Sequence, residues 1–154
     1  MSITRVKEYF KRFGIADRIQ ELDLSSATVE LAAIALNCQP ARIAKTLSFL
    51  VKEHAIVIVM AGDAKIDNAK YKAYFGVKAK MLTQNEVVDL IGFAVGGVCP
   101  FAVNEGVAVY LDESLKRFVT VFPACGSSHS AIELTIAELE NYSGYQTWVD
   151  VCKL

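Results

Sequence analysis

No stretch of the 154-residue chain approaches the ~20 uninterrupted apolar residues of a membrane-spanning helix, and none of its four cysteines stands in a C-x-x-C pair. The first absence argues against a helical membrane span. The second, with Cys38, Cys99, Cys125 and Cys152 far apart, argues against paired disulfides and a structural zinc site. Most of them are expected to be small buried apolar residues in a reducing compartment. Histidine is scarce, with only His54 and His129. Neither G-x-x-x-x-G-K-[ST] nor G-x-G-x-x-G occurs, which removes the usual phosphate-loop readings. The first eight residues alternate charge with apolar side chains and lack the apolar block of a secretory signal, so a cytoplasmic location is expected. A net charge of −1 argues against non-specific nucleic-acid binding through overall charge.

What is present is a hydrophobic fraction of 53% against 21% charged, enough to bury a continuous core over a single domain, residues 1–154. Charge is distributed unevenly: residues 1–80 carry a balance of +5 and residues 81–154 a balance of −6. Lys65, Lys70, Lys72, Lys78 and Lys80 face only Asp67 within 65–80. That cluster reads equally as a solvated helix face or as a basic patch for a phosphate backbone.

Periodicity and punctuation predict the elements. Ile3, Val6, Phe10 and Phe13 share a helical face that Gly14 ends. Thr28 caps a second helix with Leu31, Ala32, Ala35 and Leu36 as its apolar side, stopped by Asn37 and Pro40. Residues 45–51 and 55–61 read as an antiparallel hairpin, its second strand apolar enough to be covered on both faces. Asp67 opens a helix to Phe75 and Gly76; Thr83 and Glu86 form a capping box, as do Thr135 and Glu138. Strands are expected at 107–111, 118–122, 131–134 and 147–151, with a turn-rich segment at 92–105. Strands mixed with helices without regular alternation indicate an α+β fold with a mixed sheet.

Three places hold chemistry that a core does not explain. Lys45 begins an apolar strand, where its amine either snorkels to water or presents a point charge to a phosphate. Gly96-Gly97-Val98-Cys99-Pro100-Phe101 can aim backbone N–H groups at a carbonyl that becomes an oxyanion, although most Gly-Gly pairs are ordinary turns. Cys125-Gly126-Ser-Ser-His129-Ser130 offers small residues around one histidine, and Cys99 or Cys125 with His129 can be read as a thiol and its base. His54 falls in the hairpin turn.

Taken in order, Ser26-Ala-Thr28, Ala32-Ala33, Leu36, Lys45-Thr-Leu, Gly62-Asp63, Lys65-Ile-Asp67, the G-x-x-x-P segment at 96–100 and Gly126 to His129 followed by Ile132-Glu-Leu-Thr resemble the YbaK/prolyl-tRNA synthetase-associated editing domains. The resemblance spans roughly residues 20–150. It implies a mixed, partly barrel-like sheet flanked by helices, and a free-standing deacylase that hydrolyses the ester of a mischarged tRNA carrying a small amino acid. It also implies a catalytic set of Lys45 with Gly96, Gly97, Val98, Cys99 and Pro100, and substrate contacts from Thr28, Asp63, Phe101, Gly126 and His129. No metal, cofactor or covalent intermediate is implied. The implied partner is the tRNA acceptor end, with a synthetase left open as another and no membrane partner. Departures are Cys99 where many members have serine, Ala102 where glycine is frequent, and Asn37 in place of the usual glycine. The alternatives are a non-catalytic module of the same fold that binds tRNA or a synthetase, and a thiol enzyme.

Overall fold

The computed structural model describes residues 2–154. Helix α1 (Ser2–Lys11) buries Val6 and Phe10, one turn apart, completely in the core, and Gly14 turns the chain away at φ +72°. After the short strand β1 (Gln20–Glu21) comes α2 (Val29–Leu36), with Thr28 Oγ1 accepting the Leu31 N–H at 3.2 Å. It ends on Asn37 in the left-handed region at φ 53°, a conformation asparagine tolerates. Its buried residues are Ala32 and Ala33, packed with Ile43 and Phe122; Leu31, expected on the inner face, is exposed. Small side chains let this helix approach the sheet closely.

Strands β2 (Ile43–Val51) and β3 (His54–Ala61) form the expected antiparallel hairpin, in register from Ala44↔Ala61 to Val51↔His54. Its two-residue turn is Lys52-Glu53, both at positive φ (47° and 71°), as the right-handed twist of the flanking strands requires. The β3 side chains from Ile56 to Ala61 are at most 4% exposed, so both faces of the strand are covered. Strand β4 (Lys65–Ile66) leads to α3 (Asn68–Phe75), capped by Asp67 and closed by Gly76. The capping box at Thr83 and Glu86 opens α4 (Gln84–Glu86), which widens into a π turn over Val87–Ile91 before Gly92.

Strands β5 (Ala108–Asp112) and β6 (Thr120–Pro123) flank a 3₁₀ turn at Glu113–Arg117. The strand expected at 131–134 is two short pieces, β7 (Ser130–Ala131) and β8 (Leu134–Thr135). Each follows a different partner: β7 pairs with β1 and β8 with β6. Helix α5 (Ile136–Ser143), β9 (Thr147–Val149) and β10 (Cys152–Lys153) complete the chain, β10 pairing with β4. The main sheet runs β8-β6-β2-β3-β5-β9, antiparallel at β8/β6 and β2/β3 and parallel elsewhere, a mixed sheet curled into a half-barrel. None of its helices is long and apolar enough to cross a membrane among the described residues.

A long-range clamp closes the capping box of α5. Arg18 reaches Glu138 at 2.6 Å, and Glu138 also accepts the Thr135 N–H at 2.9 Å. The Arg18 guanidinium, with the Thr135 N–H, lowers the Glu138 carboxyl from 4.5 to about 2. The unfolded chain therefore binds the extra proton first, and this contribution is complete above the ordinary carboxyl range and lost as pH falls toward 2. Glu138→Gln is expected to lower Tm at pH 7 and to flatten the loss of Tm between pH 5 and 3, measured by thermal melts across that range.

Candidate functional site

The pairing of β2 with β6 stops after Ile43↔Phe122 and Ala44↔Pro123, because the chain beyond Pro123 turns away at Gly126 (φ +94°). The opening is bounded by α2 and the turn at residues 95–98, and it is a cavity of about 320 Å³. Its walls are chiefly apolar, including Ala32, Leu36, Ile43, Leu82, Phe122 and Ala124.

Lys45 lines this cavity, half-buried on β2, and donates from Nζ to the Gly62 carbonyl at 3.3 Å. Burial lowers its pKa below the lysine range, only partly opposed by Cys152, Asp63 and Glu30, while Lys65 adds to the lowering. The amine is thus a charge held at a cavity wall rather than one free in solvent.

Gly96 and Val98 line the same cavity. Gly96 sits at φ +95°, a conformation that glycine adopts without penalty. Gly97 is buried behind them, and its N–H is already committed to the Ala94 carbonyl at 3.0 Å. The N–H groups of Gly96, Val98 and Cys99 have no partner among the described residues. The structure therefore brings Lys45, Gly96, Val98 and the capping residue Thr28 to one space.

It places the other expected residues elsewhere. Cys99 is fully buried, its thiol directed at the Phe101 carbonyl at 3.6 Å, and burial pushes that thiol up to about 12. Pro100 is buried behind it. The Phe101 ring is fully buried against Phe10, 4.7 Å between centroids, so its side chain belongs to the core and does not line the cavity. Asp63 is tied to Arg117 at 2.6 and 3.0 Å, and the guanidinium holds its carboxyl below the usual range. It anchors the turn whose Gly62 carbonyl takes the Lys45 amine, rather than lining the cavity.

Gly126 acts through its backbone, which lies against Gly97. His129 is exposed, its Nδ1 3.0 Å from Ser128 Oγ, and it is the neighbouring Ser130 and Ala131 that reach the cavity. Burial also raises the Cys125 thiol well above its ordinary value. Neither Cys99 nor Cys125 has a histidine partner among the described residues, so the thiol-and-base arrangement is not assembled. All four cysteines are free, three of them buried.

Ala102, at a position where the resemblance led to an expectation of glycine, adopts φ +55°. That geometry accounts for the glycine preference, since a Cβ strains the left-handed conformation. The lysine cluster is divided: Lys70 is tied to Asp150 at 3.1 Å and to the Cys152 carbonyl at 3.0 Å. Sequence reasoning missed Thr46, Ser48, Phe122 and Ala124 as cavity walls. Only the early end of the β2/β6 ladder exposes them, and no local pattern marks that point.

The model of the family described as the aminoacyl-tRNA editing domain matches residues 25–142. An uncharacterized protein of Bacillus subtilis, YwhH, is 51% identical over 99% of this chain and 98% of its own length. A proline–tRNA ligase of Bacillus cytotoxicus is 28% identical over 65% of this chain, a match covering 18% of that ligase. A solved structure described as a candidate trans-editing enzyme for prolyl tRNA synthetase superimposes with a TM-score of 0.88 at 30% identity, covering 99% of this chain and 98% of that one.

Proposed function

The chain belongs to the aminoacyl-tRNA editing domain family, and from that premise we propose that it is a trans-editing deacylase, hydrolysing the ester that joins a small, wrongly attached amino acid to tRNA. The observation that carries this reading is the shared cavity of about 320 Å³, lined by Lys45 on one side and on another by Gly96 and Val98, whose N–H groups have no partner among the described residues.

An aminoacyl ester is already activated, so hydrolysis needs chiefly positioning of the carbonyl and stabilisation of the charge that develops on its oxygen. In this reading the N–H groups of Gly96 and Val98 face that oxygen, and Lys45 holds a phosphate or the terminal adenosine. Water is the attacking group. A donor of this kind is typically worth about 10²–10³ in rate. The apolar walls admit a small side chain and exclude larger ones sterically.

Of Cys99 and Ala102, the departures that would favour a non-catalytic module, Ala102 does not line the cavity and Cys99 turns its buried side chain away from it. These departures therefore leave the chemistry of the walls intact. A panel of mischarged tRNAs incubated with purified protein tests the proposal, and turnover of none of them overturns it. Cys99→Ser and Cys125→Ser are expected to keep activity within about threefold, because neither buried thiol is poised as a nucleophile. A loss of two orders of magnitude in a folded serine variant would restore the thiol enzyme.

A further inference from the structure

Two lysines stand directly opposite each other where the last strand meets β4. Strands β4 and β10 pair antiparallel, Ile66 with Cys152 and Lys65 with Lys153. Cys152 is buried, its sulfur 3.6 Å from that of Met60, so Lys153 turns outward, and Lys65 turns out beside it. Like charges at directly opposite positions repel and destabilise a strand pair. The side-chain carboxylates on the flanking segments, residues 61–70 and 147–153, are all committed elsewhere. Asp63 is held by Arg117, Asp67 by the first amides of α3 and Asp150 by Lys70. Neither Lys65 nor Lys153 has an acidic partner among the described residues.

The pair lies beside Lys45. Met60, against which Cys152 packs, is the β3 residue directly opposite Lys45 on β2. The turn that follows sets the Gly62 carbonyl against the Lys45 amine and reaches Lys65 three residues later. The Lys65 charge is felt at Lys45, whose pKa it helps to lower. Lys153 lies outside residues 25–142, the span matched by the family model, so the pair is not a feature that family membership supplies. A repulsive pair fixed in register by its backbone is stabilised by an anion set between the two ammonium groups. Resting on the deacylase reading, we infer that Lys65 and Lys153 form a second phosphate site, which holds the single-stranded RNA backbone leading into the cavity. Lys45 takes the terminal nucleotide, and the strand leaves across the outer face of β4 and β10. Ammonium groups are point charges without a planar donor fork, so the site positions phosphodiesters and reads no base.

Anisotropy titrations of the full chain test this with two probes, a fluorescent unacylated tRNA transcript and the same transcript without its single-stranded 3′ end. The variant Lys65→Gln/Lys153→Gln is expected to bind the whole transcript roughly tenfold more weakly. The slope of log Kd against log salt should fall by about 1.4, the share of two single-strand phosphates. Affinity for the shortened transcript is expected to match wild type. Tm should not fall, because a like-charge pair has been removed. Unchanged affinity and slope for the whole transcript overturn the inference, as does an equal loss on both transcripts, which would place the lysines on the duplex. Hydrolysis of alanyl-tRNA and of 3′-O-alanyladenosine separates the two levels. A tenfold loss of kcat/KM on the tRNA alone supports the site. Weakened binding by a protein that hydrolyses neither ester removes the deacylase reading and leaves the RNA site. Wild-type turnover of both esters by the variant removes the RNA site and leaves the deacylase.

Discussion

Lys45→Ala is expected to lose deacylation by about 10²-fold or more while keeping a single cooperative unfolding transition. The amine is half-buried at the end of a strand, and its one hydrogen bond is the 3.3 Å contact with Gly62. Removing it deletes a charge beside the cavity without opening a hole in the core, whose apolar members on β2, Ile43, Ala44 and Phe49, stay in place. The effect on stability even points upward. The folded pKa of Lys45 lies below the ordinary 10.5 because burial opposes the charge. Between the folded and unfolded values the unfolded chain binds more protons, so wild-type stability rises with pH through that window. Below it the charged, desolvated amine carries its full cost, which the alanine variant lacks.

Activity has the opposite pH dependence. If the charged amine holds the substrate, kcat/KM falls as pH climbs through the lowered lysine pKa, earlier than an exposed lysine would dictate. A pH–rate profile from 7 to 10.5 with thermal melts on both proteins measures the two effects together. A folded Lys45→Ala with wild-type turnover would remove the residue from the mechanism.

Gly97→Ala is expected to damage both folding and activity, for a reason distinct from backbone strain. Gly97 does not have positive φ. A Cβ there would stand 2.7 Å from the Gly126 carbonyl carbon and the Ser127 nitrogen, and 2.8 Å from the Gly126 oxygen. All three are backbone atoms, which cannot swing aside as a side-chain tip does. The loops carrying Gly96 and Ser130 must separate, and overpacking of this sort costs about 1–3 kcal/mol. For a chain of this size that lowers Tm by roughly 2–4 °C per kcal/mol. The same displacement shifts the Gly96 and Val98 amides away from the cavity, so kcat should fall more than stability alone explains. Gly106→Ala is the control, with φ +88° but open space around its Cβ. It should show a modest strain cost and unchanged turnover. Equal behaviour of the two variants would show that loop contact does not position the site.

Local physics made much of the molecule readable in advance. The β2–β3 hairpin follows from two apolar runs around a short polar turn, expected over residues 52–54 and found as Lys52-Glu53 with His54 already paired to Val51, and the Thr28, Asp67, Thr83 and Thr135 caps follow from a side chain reaching a backbone N–H two or three residues on. These contacts lie within a few residues of one another, so composition and spacing determine them. The family motifs were legible for the same reason, since Lys45 and the Gly96-Gly97 turn stand in characteristic local contexts. Tertiary structure decided the rest. That β2 takes β6 as a parallel neighbour for only two residue pairs, and so opens the cavity, depends on where the chain turns 80 residues later, at Gly126. Whether Phe101 faces a ligand or Phe10, and whether His129 faces inward or out, is set by packing between segments distant in sequence. Periodicity specifies a face only within a regular element, and these side chains belong to irregular turns whose direction comes from what they pack against.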